Sequence, residues 1–127
     1  MSFLLDTSII IDLERGRHKT ISKLKEIVHS YYEKPLLPFI SYFEFLYGIK
    51  EKSPENKERA ILFIDGFPII QTSKTTARIL AALKEKYELT LTDLLIAAQT
   101  IEVNGVLITK DKDFEKIGEL NKIIIEE

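Results

Sequence analysis

The sequence predicts an α/β fold built on a mostly parallel sheet of about five strands, because short apolar runs alternate along the chain with longer amphipathic segments. The second observation is continuity. No stretch rich in Pro, Gly or Ser divides the 127 residues, whose number suits one domain. One domain over residues 1–127 is therefore expected.

The elements follow in order. Phe3-Leu4-Leu5 is a strand that stops at Asp6-Thr7-Ser8, after which Ile9, Ile10 and Leu13 recur at helical spacing. From His18 to Glu33 the positions Ile21, Leu24, Ile27, Val28 and Tyr31 keep the three-and-four spacing of an amphipathic helix, which Pro35 ends. Leu36-Leu37-Pro38-Phe39-Ile40 reads as a second strand, with Pro38 uncomfortable at a central position, and a helix from about Tyr42 to Ile49 follows. Ser53-Pro54-Glu55-Asn56 opens a helix whose apolar positions are Ala60, Ile61 and Ile64, and Asp65-Gly66 turns the chain. Phe67-Pro68-Ile69-Ile70 is the third strand. Helices are expected over Thr75–Glu88 and Thr92–Val103, the latter closed by Asn104-Gly105. Val106-Leu107-Ile108-Thr109 and Ile123-Ile124-Ile125 are the last strands. There is no internal repeat and no low-complexity segment.

Composition narrows the function. A chain with 45% hydrophobic residues buries a real core, removing roughly two-thirds of its unfolded surface from water. The absence of Cys excludes disulfides, thiolate metal sites and a cysteine nucleophile, so any metal must be held by oxygen or histidine. No basic segment precedes an apolar run at Met1–Asp6, and nowhere do eighteen apolar residues occur together, so the expectation is a cytoplasmic protein that is neither exported nor membrane-spanning. Lys plus Arg total 18 against 20 Asp plus Glu, for a formal charge of −2. That balance argues against a module that holds nucleic acid by electrostatics alone. It leaves room for a nuclease, since metal-site carboxylates count in the tally and the ions that neutralise them do not.

In open α/β sheets, functional sites gather beyond the carboxyl ends of the strands. The side chains expected there are acidic: Asp6 after the first strand, Glu44 in the first turn after the second, Asp93 at the start of a helix, and Asp111 and Asp113 after Val106–Thr109. Each alone has an ordinary structural explanation. Ser41-x-x-Glu44 has the spacing of a capping box, Thr90-x-x-Asp93 has the same, and Asp111 and Asp113 suit a turn. Caps have no reason to converge, however, and the expected topology places several of these acids on one edge of the sheet. Carboxylates brought together repel, and either one takes a proton or a cation intervenes. Oxygen ligands without Cys or a suitable His select Mg²⁺ or Mn²⁺ over zinc. One or two such ions activate water and stabilise charge on a phosphodiester.

Four segments together resemble the signature segments of PIN domains, and among those the VapC-type toxins of toxin–antitoxin pairs. They are Leu4-Leu5-Asp6-Thr7-Ser8, Ser41-x-x-Glu44 with Leu46-x-Gly48, Thr92-Asp93-x-x-Ile96-Ala97-Ala98, and Leu107-Ile108-Thr109-x-Asp111-x-Asp113-Phe114. The resemblance implies a single PIN-like domain, an α/β/α sandwich, with metal-dependent endoribonuclease activity that leaves a 5′-phosphate. It also implies a homodimer restrained by a small antitoxin protein. Carried over by position, Asp6, Glu44 and Asp93 are the core ligands of Mg²⁺ or Mn²⁺, and either Asp111 or Asp113 is the fourth. The commonest family pattern has Asn where Asp111 stands and its acid one residue beyond the place of Asp113. Ser8 and Thr109 are candidate supports through their hydroxyls.

Other features carry less. Arg15, Arg17, His18, Lys19, Lys23 and Lys25 form a basic stretch that suits either a phosphate backbone or a solvated helix face, the latter favoured. His18 and His29 are too isolated to form a catalytic pair. Phe39, Tyr42, Phe43, Phe45 and Tyr47 are read as core or dimer interface in preference to a base-stacking surface. Two rival functions are a non-catalytic PIN-like binding protein and a Mg²⁺-dependent phosphoacceptor signalling domain. The retained acids argue against the first, and the lack of a second acid beside Asp6 argues against the other.

Overall fold

The computed structural model describes residues 2–28 and 34–126. Its elements are β1 (Phe3–Leu5), α1 (Thr7–Glu14), α2 (His18–Val28), β2 (Leu37–Pro38), α3 (Phe39–Gly48) and α4 (Pro54–Ile64). They continue with β3 (Ile69–Ile70), α5 (Lys74–Lys86), α6 (Leu91–Glu102), β4 (Val106–Thr109), a 3₁₀ helix (Lys112–Lys116) and β5 (Lys122–Ile124). The last turn expected of the second helix, with Tyr31, and also His29, lie outside the described residues.

Among the described residues, all strand pairs are parallel. β4 lies between β1 and β5, and β2 pairs with β3. The two groups are stitched together at Leu36, which makes a parallel bridge with Leu4, accepts from the Leu5 N–H at 3.0 Å and donates to the Phe3 carbonyl at 2.7 Å. The order across the sheet is thus β3-β2-β1-β4-β5, as expected of a five-stranded parallel sheet.

Strand pleating then divides the core. Phe3, Leu5 and Ile108 face one side, packed with Ile9, Ile10, Leu24, Phe45 and Ile64 from α1–α4. Leu4 and Leu107 face the other, packed with Leu83, Leu94, Ala97 and Phe114 from α5, α6 and the 3₁₀ helix. Every residue of β1 is buried, which is why its sequence runs apolar without alternation. The result is the expected α/β/α sandwich.

Helix ends follow local chemistry. Ser53 caps α4, its hydroxyl accepting from the Asn56 N–H with Pro54 in the first turn. Asn104 takes the left-handed conformation (φ 57°) that ends α6. Gly105 is required by close approach, because a Cβ there would stand 2.5 Å from Leu4 Cδ1 and 3.0 Å from the Ser2 carbonyl oxygen.

Phe67 and Pro68, expected in the third strand, lie before β3, β5 sits one residue earlier than expected, and the boundary of most consequence differs between β2 and α3. Phe39 and Ile40, read as strand, form the first turn of α3, and Pro38 is its N-cap with φ −60° and ψ 145°. An apolar run carries no periodicity to separate strand from helix, and the φ of proline suits both. Among the described residues, no helix is long and apolar enough to cross a membrane.

Candidate active site

The strand order reverses direction between β1 and β4, and their carboxyl ends form the crevice where α/β sheets place ligands. Asp6 sits at that point. It is the N-cap of α1, its Oδ1 accepting from the Thr7 N–H at 2.8 Å, while its Oδ2 accepts from the Thr109 hydroxyl at 2.6 Å. The Ser8 hydroxyl is at the limit of hydrogen bonding to the same oxygen, at 3.5 Å. Asp6 is 6% exposed. Burial pushes its carboxyl up from 3.8 to about 6, against the hydrogen bonds from Thr109 and Thr7, and the charges of Asp93 and Asp111 push the same way.

Asp93 lies in the first turn of α6. The Thr90 hydroxyl caps the helix by accepting from the Asp93 N–H at 3.2 Å. Burial raises the Asp93 carboxyl, and the charges of Asp111, Asp113 and Glu44 add to the rise. Asp111 caps the 3₁₀ helix, accepting from the Asp113 N–H at 2.9 Å, and its own N–H donates to Thr109 Oγ1 at 3.0 Å. The turn role expected of Asp111 is therefore real, yet it does not keep the residue from the site. Asp93, Asp111 and Asp113 each offer a carboxylate oxygen within 4.8 Å of the others. Asp113 is the exposed member, with Lys116 Nζ at 3.5 Å.

Asp6 and Glu44 stand outside that triplet. Glu44, on α3, is held by the start of α1, accepting from the Thr7 hydroxyl at 2.5 Å. The capping-box alternative for Glu44 is overturned: α3 begins at Phe39, so Ser41 lies within the helix, and its buried Oγ has no hydrogen-bond partner among the described residues.

Several contributors carried no role in the sequence reading. Thr7 is one, although three successive polar residues at a strand end, Asp6-Thr7-Ser8, were a signal that more than the acid is used. Gln99 is fully buried, accepting from the Phe39 N–H at 3.0 Å and donating to the Ile70 carbonyl at 2.9 Å, which locks α6 to the start of α3. Asp12 is a buried acid on α1, and its signal was a charge set within the apolar run Ile9-Ile10-Ile11 and Leu13.

The aromatic cluster divides. Phe45 is core and the Tyr42 hydroxyl donates to Asp65 at 2.7 Å, whereas Phe39, Phe43 and Tyr47 are 43%, 50% and 60% exposed along one face of α3. His18 and the cations from Arg15 to Lys25 are exposed, as a solvated face requires, with Arg17 3.6 Å from Asp12 and Lys23 3.9 Å from Glu26.

A family model described as PIN domain matches residues 3–120. The chain belongs to the PIN domain family. Among relatives, a Ribonuclease VapC from Rickettsia bellii is 34% identical, over 98% of this chain and 97% of its own length. In structure the chain is similar to a toxin–antitoxin complex from Klebsiella pneumoniae, with TM-score 0.81, 29% identity, and 99% and 100% of the two chains covered. It is also similar to VapBC2 from Rickettsia felis, solved bound to a DNA fragment from its promoter, with TM-score 0.82, 22% identity and 98% of each chain covered. These neighbours share the parallel sheet flanked by helices, so the sandwich is a PIN-domain fold.

Proposed function

We propose that this chain is a cytoplasmic, Mg²⁺- or Mn²⁺-dependent endoribonuclease, the toxin of a VapBC-type pair, acting as a homodimer and restrained by a protein antitoxin. The observation that carries the reading is the gathering of Asp93, Asp111 and Asp113 within 4.8 Å, beside a buried Asp6 at the sheet's switch point. Burial first, and then repulsion among these groups, raises Asp6 and Asp93, a conflict that a hard divalent ion relieves, and an all-oxygen donor set fits Mg²⁺ or Mn²⁺. The donors are Asp6, Glu44, Asp93, Asp111 and Asp113. Between the last two, Asp111 is the inner ligand in this reading, because it is half-buried, whereas Asp113 is exposed and has Lys116 Nζ at 3.5 Å.

When bound, the ion supplies activation of water and neutralisation of charge on the phosphodiester. The chain's own residues prepare the site. Thr109 and Thr7 donate to Asp6, and the Thr7 hydroxyl also donates to Glu44. The ribonuclease name of the Rickettsia bellii relative and the toxin–antitoxin complex from Klebsiella pneumoniae support the substrate class and the partner. The exposed Phe39, Phe43 and Tyr47 face supports a homodimer interface.

The test is cleavage of a mixed RNA by partner-free protein with Mg²⁺ or Mn²⁺ and with EDTA, alongside Asp6→Asn and Asp93→Asn. Metal-dependent cutting that both variants lose, from folded protein, is the expected result. Wild-type rates in either variant would remove the residue from the site. Absence of both cleavage and metal binding would favour the non-catalytic reading.

A further inference from the structure

Asp12 is a second buried acid, placed outside the acidic site. A carboxylate in that position is costly unless paired, and Asp12 is paired generously: Lys110 Nζ lies 2.6 Å from Oδ2, the Thr20 hydroxyl donates to Oδ2 at 2.6 Å, and Arg17 Nε is 3.6 Å from Oδ1. Thr20 ties α1 to α2, which is an ordinary packing role. Lys110 is different, because it stands between Thr109 and Asp111 in the segment that delivers three site residues.

Side chains alternate along that segment. Thr109 donates to Asp6 and Asp111 joins the acidic triplet, while Lys110, between them, reaches Asp12. Helix α1 thus holds residues 109–111 at two points: its N-cap Asp6 accepts from Thr109, and Asp12 in its second turn pairs with Lys110.

We infer that Asp12 is a positioning residue, which through its ion pair with Lys110 fixes the 109–113 segment and hence sets Asp111 and Asp113 against Asp93. The inference rests on the proposed metal site. Groups that orient metal ligands from behind typically change metal affinity about 10–100-fold when lost.

The experiment is Mn²⁺ binding followed by electron paramagnetic resonance on the full chain, with melting curves for every variant. Asp12→Asn keeps the shape and its bond from Thr20 while losing the charge, and Lys110→Met loses the other partner; each is expected to weaken Mn²⁺ binding about tenfold or more. The double variant should lose no more than the worse single one, as one shared contact requires. Lys110→Arg should recover most of the affinity. Thr20→Val, which cuts only the tie to α2, should lower the melting temperature while leaving Mn²⁺ affinity within about twofold. Folded Asp12→Asn or Lys110→Met protein that binds Mn²⁺ as wild type does overturns the inference alone. A wild type that binds no Mn²⁺ overturns the metal site and this inference with it. If Asp12→Asn fails to fold, Lys110→Met, at a half-buried position, decides the matter.

Discussion

Asp6→Asn should make the metal-free protein more stable at neutral pH while disabling it. The Asp6 carboxyl is raised from 3.8 to about 6 by burial first, and by the charges of Asp93 and Asp111. Folding therefore favours its neutral form. The acid imposes no penalty below pH 3.8, and the penalty grows as pH rises through about 6 and then levels. A rise of that size corresponds to about 3 kcal/mol at pH 7.5 and about 1 kcal/mol at pH 4.5. Asn stands in for the neutral acid. Its carbonyl can accept from the Thr7 N–H and its amide can donate to Thr109, whose hydroxyl rotates to receive it. Urea unfolding in EDTA should thus show the variant about 2–3 kcal/mol more stable at pH 7.5, with the gap shrinking toward pH 4.5. Adding Mn²⁺ at about a hundred times its Kd should return about 2.7 kcal/mol to the wild type and little to the variant. A variant that is less stable at pH 7.5, or a gap that does not change with pH, would refute the reasoning that Asp6 is held under electrostatic and desolvation strain.

Two further outcomes test the surroundings of the site. Thr7→Val removes the hydroxyl that holds Glu44, so it should cost about 1–2 kcal/mol in urea unfolding and weaken Mn²⁺ binding severalfold by calorimetry. Gly105→Ala forces a Cβ against the buried Leu4 side chain and the Ser2 carbonyl, and should lower stability by about 1–3 kcal/mol in the same assay without moving the metal affinity of the folded protein.

The boundary between β2 and α3 shows where sequence reading stops. From Leu36 to Ile40 every residue is apolar or Pro, and such a run suits a strand and a buried helix start equally. What decides is that Gln99 of α6 receives the Phe39 N–H and holds the Ile70 carbonyl, a tie made sixty residues away along the chain. The same shift moves Ser41 into the helix and releases Glu44 from capping to the grip of Thr7. The faces of α3 were also illegible, since aromatics occupy positions 39, 42, 43, 45 and 47, and packing with the apolar faces of α1 and α4 selects Phe45 for the core.

By itself the sequence determined the α/β class, the five parallel strands and the four segments that carry the acids, because buried strands and helix starts write local patterns of hydrophobicity and capping. Tertiary structure decided which acids meet. Asp93, Asp111 and Asp113 form the triplet, Asp6 is buried beside it and Glu44 is steered from another strand end. It also decided that Asp12 pairs with Lys110, a contact between residues far apart in the chain. Such pairings follow from the parallel register of β1 on β4, and register is a property of two segments brought together, which neither segment encodes alone.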